Sequence, residues 1–401
     1  MFPGRSTDVT KESILDPPHI PRVVYVTNSL SSGGAERILS RLVEASTEKI
    51  DSTFLIFQRK MMYKVHCDVF VSPYFNRDSV YGRIKSLVVQ TISISRIVSR
   101  KKPDAILFSS VSVPFGLFLA TTFMRHARRC VFRVTVNHTE VLRYERSFRE
   151  KIMSILDVII ATFVSNRGYV VAPSQSILDS LTAISHLPLR NAAVIHNFVD
   201  VEKVRELASE ELEEWPTEPV VVNMGRLEYQ KNHALLLRAF AKMRPYVEAK
   251  LYIIGAGGLR QALETLSRSL NVSDDVVFLG LVTNPFKYIA RSRAFVLSSD
   301  YEGVPNSLIE AIALGVPVIA TESAGSIEVL GSPDPAGIIT KRDDADGLSQ
   351  AMLKLVVDEP LHDRYSRLST QRSEKFREEE SVASYIALFQ RMSGGLQTRP
   401  A

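Results

Sequence analysis

Cysteine is scarce in this chain of 401 residues, which contains only Cys67 and Cys130. Two cysteines exclude a disulfide framework and a zinc site built from cysteines, and such usage is typical of a protein in a reducing compartment. Hydrophobic residues make up 45% of the chain and charged residues 23%. This composition indicates a soluble globular α/β protein, and the length favours two domains over a single core.

Long uncharged stretches are also rare. Residues 1–20 are polar and lack the apolar region of a signal peptide, so we expect a flexible tail there. Residues 105–123 carry no charge, and the stretch is long enough to span a bilayer. Pro114, Gly116 and several serines interrupt it. We therefore interpret it as a buried strand, a loop and a packed helix in preference to a membrane span.

Acidic residues are few in the first half of the chain. Residues 1–200 contain 26 Lys and Arg against 16 Asp and Glu, a net charge of +10, whereas residues 201–401 contain 23 and 28, a net charge of −5. Residues 81–151 alone hold 14 basic and 4 acidic residues. This basic region is either a solvated face or a surface attracted to an anionic membrane, where each basic residue contributes about 1 kcal/mol. Nucleic acid is not expected as a partner, since no aromatic–basic stacking pattern accompanies the charge.

The most informative pattern lies in residues 298–330. Glu302 and Glu310 are eight residues apart, one before and one within a predicted helix. Pro305 suits the first position of that helix, and the amides that follow it would be free to bind an anion. These amides belong to Asn306, Ser307 and Leu308. With the carboxylates accepting from hydroxyls on either side, the pattern suits a nucleotide sugar, which carries a diphosphate between ribose and sugar hydroxyls.

Short strand patterns flank the two glutamates, AFVLSS before Glu302 and GVPVIA after Glu310. Strand, loop, helix and strand make a βαβ unit, whose ligands bind at the carboxyl ends of the strands. Two glutamates at this spacing also occur by chance on solvated surfaces, so the βαβ setting is what favours a binding site. Strand and helix patterns alternate along both halves of the chain, which predicts parallel sheets covered by helices.

Three motifs resemble the retaining GT-B glycosyltransferases of glycosyltransferase family four. They are EGVPNSLIEAIALGVPVIAT, GRLEYQKNH at 225–233 and SGGAER at 32–37. The resemblance extends from about Arg22 to about Leu388 and is more specific in the second half. It implies an α/β protein with two facing Rossmann-like domains, parallel sheets and an interdomain cleft.

The resemblance also implies the domain boundaries. Residues 1–20 would be the tail, residues 21–198 an acceptor-side Rossmann-like domain, and residues 199–375 a domain that binds the nucleotide sugar. Residues 376–401 would form a helix that crosses back onto the first domain, followed by a tail.

Two cations follow the first predicted strand of the second half. Arg226 and Lys231 suit a diphosphate, arginine as a fork and lysine as a point charge, although alone they would be ordinary surface charges beside a turn. The resemblance implies that both hold the donor diphosphate and stabilise the leaving group. It further implies that Glu302 contacts sugar hydroxyls and Glu310 the ribose. The residues that would lie near the phosphate and sugar through their amides are Gly303, Val304, Asn306 and Ser307.

Candidate residues in the first half carry weaker signals. Gly33 and Gly34 would let a ligand approach the backbone just before a helix, but such loops occur in all Rossmann-like domains. A lone histidine such as His138 is more often structural. The resemblance makes His138 an active-site residue that hydrogen-bonds to the donor sugar, with Asn137 as a weaker candidate.

One residue departs from the family pattern, and one pair of aspartates allows two interpretations. Phe198 stands where the family usually has glycine, which puts any role of Asn197 in doubt. Asp344 and Asp346 form a DxD pair, but helix capping explains them better than metal binding. We expect no metal and no cofactor, because cations and helix amides can stabilise a departing diphosphate by themselves.

These residues predict a retaining glycosyltransferase of polysaccharide biosynthesis. It would transfer a hexose or N-acetylhexosamine from a nucleotide diphosphate sugar, with UDP as the expected nucleotide, to a lipid-linked saccharide or another glycan precursor. We expect it in the cytoplasm, peripheral on the inner face of the cell membrane. The alternatives are another GT-B enzyme, such as an epimerase or phosphorylase, and a non-catalytic nucleotide-sugar-binding or scaffold subunit. The resemblance favours front-face displacement, in which the leaving phosphate helps to deprotonate the acceptor.

Overall fold

The computed structural model describes residues 19–31, 33–73, 80–109, 118 and 126–397. Two parallel β-sheets form its framework, and they follow one another along the chain. The first sheet consists of β1 (Arg22–Thr27), β2 (Asp51–Ile56), β3 (Asp68–Val71), β4 (Ala105–Ser109), β5 (Cys130–Arg133), β6 (Tyr169–Ala172) and β7 (Ala192–Val194). The second consists of β8 (Val220–Met224), β9 (Lys250–Ile254), β10 (Val276–Gly280), β11 (Ala294–Leu297), β12 (Val318–Thr321) and β13 (Ile338–Thr340).

Both sheets have the strand order of open, doubly wound folds. The first runs β3-β2-β1-β4-β5-β6-β7 and the second β10-β9-β8-β11-β12-β13, with parallel pairing throughout. Central strands such as β1 and β4 are apolar and buried on both faces, as expected where helices cover both sides of a parallel sheet. The strand order reverses beside β1 and beside β8, and ligands of such sheets bind at that point, outside the carboxyl ends.

Helices connect the strands. In the first half they are α1 (Gly34–Ala45), α2 (Val80–Lys101), α3 (His138–Tyr144), α4 (Phe148–Ser165) and α5 (Gln175–Ser185). In the second half they are α6 (Val201–Ala208), α7 (His233–Met243), α8 (Arg260–Ser269), α9 (Phe286–Ala290), α10 (Asn306–Ala313), α11 (Ala324–Leu330), α12 (Ala345–Val357), α13 (Glu359–Ser373) and the final α14 (Glu378–Gln397).

The last helix packs on the first sheet. Tyr385 and Phe389 of α14 share a buried core with Val23 and Tyr25 of β1, and the Tyr25 and Phe389 rings meet edge to face at 6.2 Å. The last strand of the first sheet ends at Val194, and the first strand of the second sheet begins at Val220. The domain boundaries predicted at residues 198 and 375 are untested and stay predictions.

The predicted α/β class with two parallel sheets is confirmed. The edge strand β3 was not predicted, because this short strand is only half buried and its alternation is weak. β4 confirms the strand expected at the start of residues 105–123. Residues 110–117 and 119–125 of that stretch, and residues 1–18 of the expected tail, lie outside the described residues. None of the helices in the described part of the chain combines the length and apolarity that a bilayer span requires.

Candidate active site between the two halves

The carboxylate of Glu302 lies in the loop after β11, as predicted, and is buried. Lys231 Nζ donates to Glu302 Oε1 over 2.5 Å, and the Ser299 hydroxyl donates to the same oxygen over 2.6 Å. The Lys231 side chain is only 16% exposed. The structure therefore brings together two of the predicted site residues, although they are 71 positions apart.

The loops that carry Lys231 and Glu302 are fastened to each other. Asn232 adopts a left-handed conformation (φ 42°), caps α7 by accepting from the Leu235 amide, and donates to Asp300 over 2.7 Å. The Ser298 hydroxyl donates to the Lys231 carbonyl over 2.9 Å. Asparagine tolerates this backbone region better than most residues. These bonds hold the GRLEYQKN loop, and Lys231 with it, against the loop that carries Glu302.

Arg226 lies apart from that pair. Its side chain is 59% exposed and forms an ion pair with Glu228 at 3.0 Å. Burial raises the pKa of Glu36 in α1, and the charges of Arg133 and Arg226 oppose that rise. Arg226 therefore lies within electrostatic range of the first half, and its assignment to the donor diphosphate stays a prediction.

Glu310 is buried on α10, as predicted, and forms an ion pair with Arg37 of α1. Burial raises the pKa of Glu310, while Arg37 lowers it. Its second oxygen, Oε2, is buried and has no hydrogen-bond partner among the described residues. A buried acceptor without a partner is costly, and a hydroxyl of a bound ligand would satisfy it.

The start of α10 differs from the prediction by one residue. Pro305 is the N-cap with extended backbone (φ −74°, ψ 108°), and the helix begins at Asn306. The amide of Leu308 donates to the Pro305 carbonyl over 3.1 Å, so the prediction that this amide is free is wrong. Asn306 and Ser307 precede it in the first turn, where α-helices leave amides without intrahelical partners.

Asn197 connects the two halves at this point. Its Nδ2 donates to Asn306 Oδ1 over 2.8 Å and to the Val304 carbonyl over 3.3 Å, and its Oδ1 accepts from Arg133 over 2.7 Å. Phe198 is buried in the core below the first sheet, so the departure from glycine is accommodated. Asn197, whose role was in doubt from the sequence, therefore has a structural role: its side chain positions the loop between Glu302 and α10.

Gly33 and Gly34 face the same junction. Asn306 Nδ2 donates to the Gly34 carbonyl over 2.9 Å, and a Cβ on Gly34 would lie 2.8 Å from that nitrogen. A Cβ on Gly33, the N-cap of α1, would collide with the carboxylate of Glu36. Gly34 thus allows close approach of the second half, whereas Gly33 leaves room for the Glu36 side chain of its own helix; contact of either glycine with a donor phosphate is untested.

His138 is the first residue of α3 and is buried. Its Nδ1 lies 2.7 Å from the Ser154 hydroxyl, and Nε2 is buried without a partner among the described residues. Burial lowers the pKa of His138 to about 4, so the imidazole is neutral near pH 7. Gly303 of the second half lies against the backbone three residues before His138, since a Cβ on it would approach the Thr135 carbonyl oxygen to 2.0 Å.

Glu140 is a site residue that the sequence analysis missed. It lies on α3, two residues after His138, and accepts from the Ala324 amide over 3.0 Å and from the Arg342 guanidinium. Burial raises its pKa, and these two donors oppose the rise together with the Glu302 amide. The Arg342 guanidinium also stacks 4.0 Å from the centre of the Tyr144 ring. Only its place beside His138 signalled Glu140 in advance.

A neighbouring contact strengthens this junction. The Tyr301 hydroxyl donates to the carboxylate of Glu145, and the guanidinium of Arg146 lies 5.1 Å from the Tyr229 ring centre.

Asn137, the weaker candidate, caps α3 by accepting from the Glu140 amide. Its role is therefore to shape the helix that presents Glu140.

The DxD pair has structural partners. Asp344 caps α12 by accepting from the Gly347 amide over 2.8 Å, which confirms the capping prediction, and Asp346 pairs with Lys242 at 2.6 Å. Across the described residues, one group of three possible metal ligands meets the distance criteria of a site. It consists of Glu359, His362 and Asp363 on α13, and Arg293 already binds the carboxylate of Glu359.

Known families and proteins resemble this chain. Residues 32–203 match the model of Glycosyltransferase Family 4, and residues 204–372 match that of Glycosyl transferases group 1. A relative from Campylobacter jejuni is 24% identical over 350 residues, which are 87% of this chain and 93% of the relative. It is named N-acetylgalactosamine-N,N'-diacetylbacillosaminyl-diphospho-undecaprenol 4-alpha-N-acetylgalactosaminyltransferase.

Solved structures share the fold. Sucrose-phosphate synthase from Thermosynechococcus elongatus has a TM-score of 0.77 at 16% identity, covering 94% of this chain and all of that one. Anabaena HepE, in complex with UDP and glucose, has a TM-score of 0.70 at 18% identity with the same coverage. Since two glycosyltransferase models follow one another along most of the chain, and two facing parallel-sheet halves carry the motif residues, the chain belongs to the group 1 glycosyltransferases and is a sugar-transferring enzyme of GT-B fold.

Proposed function

We propose that this enzyme transfers a hexose or N-acetylhexosamine from a UDP-sugar to a lipid-diphosphate-linked saccharide, with retention of the anomeric configuration. One observation carries the proposal. Lys231 binds Glu302, which lies four residues before the start of α10, and the same helix carries Glu310, whose second carboxylate oxygen is buried and unpartnered among the described residues. The acceptor class is supported by the undecaprenol diphosphate in the name of the Campylobacter relative, and the donor nucleotide by the UDP in the Anabaena structure.

The donor would lie along the second half of the site. Its diphosphate would contact Lys231 and the amides of Asn306 and Ser307, because cations and a helix N-terminus both favour negative charge. The ribose hydroxyls would donate to the free oxygen of Glu310. Glu302 would accept from sugar hydroxyls, since Lys231 and Ser299 keep it ordered on one side only.

Transfer would proceed by attack of an acceptor hydroxyl on the anomeric carbon. The bond from that carbon to the UDP oxygen breaks, and the hydroxyl proton passes to the departing phosphate. Lys231, the exposed Arg226 and the helix amides would stabilise the negative charge that grows on UDP. Attack from the face that UDP leaves gives retention and requires no carboxylate nucleophile. With this set of positive groups we expect no requirement for a divalent metal ion.

Membrane contact is part of the proposal, since a lipid-linked acceptor is held at a bilayer. The basic region, residues 81–151, would bring the enzyme to the anionic inner face of the cell membrane from the cytoplasm. Exposed cations in it support this assignment; they include Arg96 and Arg100 on α2 and Arg149 on α4.

Turnover with defined substrates tests the proposal. The purified enzyme is incubated with a panel of UDP-sugars and a short-chain polyprenyl diphosphate saccharide, with and without EDTA, and the product anomer is read by NMR. We expect one donor to give a product of retained configuration whose yield EDTA leaves unchanged. Absence of transfer with every donor, an inverted product, or a requirement for free phosphate as in a phosphorylase would contradict it.

A further inference from the structure

Helix α4 exposes an apolar face. Beyond Glu150, every exposed side chain of this helix is apolar. With Phe148 they make a single line at spacings of four, three, four and four residues, and we call Phe148, Ile152, Ile155, Ile159 and Phe163 the α4 stripe. Phe148 is 77% and Ile159 60% exposed. The opposite face of α4 packs into the protein, where Ser154 and Thr162 lie beside apolar side chains. The solvent side of a surface helix is normally polar, whereas that of α4 is apolar beyond its first turn.

Helix α2 repeats the pattern. Its exposed apolar side chains over three turns are Tyr81, Ile84, Val88 and Ile92, which we call the α2 stripe. The inner faces of α2 and α4 belong to one core, since Ile94 and Val158 lie in the same hydrophobic cluster as Val24 of β1. Helices α1 and α14 pack in the other core of that sheet, so the two stripes lie on the same side of the sheet and point away from it.

Positive charge borders both stripes. The exposed basic residues are Lys85, Arg96 and Arg100 on α2, and Arg143, Arg146 and Arg149 at or just before the start of α4. The sequence of α2 contains no acidic residue, and on α4 only Glu150 is acidic and exposed. A second copy would bring like charges together, whereas a bilayer offers an apolar interior beneath anionic headgroups. The combination therefore favours an anionic lipid surface as the occupant.

We propose that the α2 and α4 stripes insert into the surface of an anionic bilayer, with the surrounding basic side chains at the headgroups. The inference rests on the proposed function, which needs the enzyme at a membrane, and it goes further, since binding depends on apolar insertion as well as on charge. The α4 stripe begins three residues after Glu145, which accepts from Tyr301 of the second half. Insertion would thus place the junction between the halves close to the lipid that carries the acceptor.

Vesicle flotation tests the insertion. The full chain is mixed with vesicles of equal parts phosphatidylethanolamine and phosphatidylglycerol, at low salt and at about 1 M NaCl, where the Debye length is about 3 Å. The variant Ile155→Gln/Ile159→Gln removes two apolar side chains while keeping good helix formers. The control is Tyr246→Gln/Leu281→Gln, which replaces two exposed apolar side chains of the second half.

We expect wild type and the control to float at low salt and a large part of both to stay bound at high salt. The α4 variant should lose about tenfold or more in vesicle partitioning, because each buried methylene contributes severalfold. Unchanged flotation of the α4 variant, or complete release of wild type at high salt, would overturn the inference. So would a dimer in solution that the α4 variant dissociates without altering flotation.

Activity separates this inference from the proposed function. The α4 variant should transfer sugar to a short-chain, water-soluble acceptor at the wild-type rate and lose transfer to a long-chain acceptor embedded in vesicles. Equal rates for both enzymes on the embedded acceptor would contradict the insertion and leave the proposed function intact. Absence of transfer by wild type to any acceptor would refute the proposed function, while flotation would still report on insertion.

Discussion

The two halves of this enzyme hold their site residues in different ways. In the second half, Lys231 and Ser299 both donate to Glu302, and Asn232 donates to Asp300, so this side of the site is built within one half of the chain. In the first half the site residues Arg37, Glu140 and Asn197 bind partners across the junction, on Glu310, Arg342 and Asn306. In the proposed function the second half holds the donor. The difference indicates that this donor side is preorganised, whereas the side formed by the first half is completed when the halves meet.

The largest expected effect is on the preorganised side. Glu302→Gln keeps the shape of the side chain but removes the charge that pairs with Lys231. We expect transfer to fall by about 100-fold to 1,000-fold, as for other losses of a charge-stabilising group in an active site. The rate of the purified variant is compared with that of Glu228→Gln, which removes an exposed carboxylate beside Arg226. Equal rates for Glu302→Gln and wild type would show that the Glu302 carboxylate takes no part in transfer.

Each half contains one buried histidine, which allows the halves to be compared by pH. Burial lowers the pKa of His138 and of His233 from 6.5 to about 4, with the charge of Lys231 adding to the effect for His233. Between these values the unfolded chain binds protons that the native protein does not. The free energy of unfolding should therefore decrease as the pH falls from 6.5 towards 4, by up to about 1.4 kcal/mol per pH unit for each histidine, and their contribution should be flat above 6.5.

Urea unfolding across this pH window measures the slope. His138→Gln and His233→Gln should each remove about half of the histidine contribution, whatever they do to stability at neutral pH. An unchanged slope in both variants would show that neither imidazole is held neutral by the fold.

A smaller effect is expected from the junction between the halves. Glu140→Gln weakens the bonds to Arg342 and the Ala324 amide while leaving the donor side intact. We expect kcat to fall about tenfold, since hydrogen bonds to charged groups contribute roughly 1.5–3 kcal/mol, with the Kd for UDP unchanged. A matched control is Arg364→Gln, which removes a guanidinium that stacks on Tyr365 within α13. A loss of UDP affinity in Glu140→Gln would mean that the donor side is not preorganised.

The smallest effect should come from the rim of the same junction. Tyr301→Phe removes the hydroxyl that donates to Glu145 and keeps the ring. We expect kcat to fall only about twofold to fivefold, because a single hydrogen bond contributes about 1 kcal/mol and this one is partly exposed. Measuring the Glu145→Gln variant and the double variant completes a cycle; full additivity of the two effects would show that the pair does not act as a unit.

The positions of candidate site residues are predicted best where one short segment of the sequence contains the whole motif. The segments EGVPNSLIE and GRLEYQKN set their loops and helix locally, so the positions of Glu302 in the loop after a strand and of Glu310 on the following helix could be predicted from the amino-acid sequence, while their roles stay predictions. The bonds of Glu140 to Arg342 and of Arg37 to Glu310 join residues more than two hundred positions apart, and no local pattern encodes such partners. The Leu308 amide was assigned wrongly because the first turn of α10 closes with a bond from this amide to the carbonyl three residues back, on Pro305, and spacing alone does not predict such a bond.

A structure of the enzyme crystallised with UDP tests the central claim most directly. We expect the diphosphate within hydrogen-bonding distance of Lys231 and of the Asn306 or Ser307 amide, and a ribose hydroxyl on Glu310 Oε2. A nucleotide bound elsewhere, or Lys231 and Glu310 turned away from it, would contradict the assignment of this site.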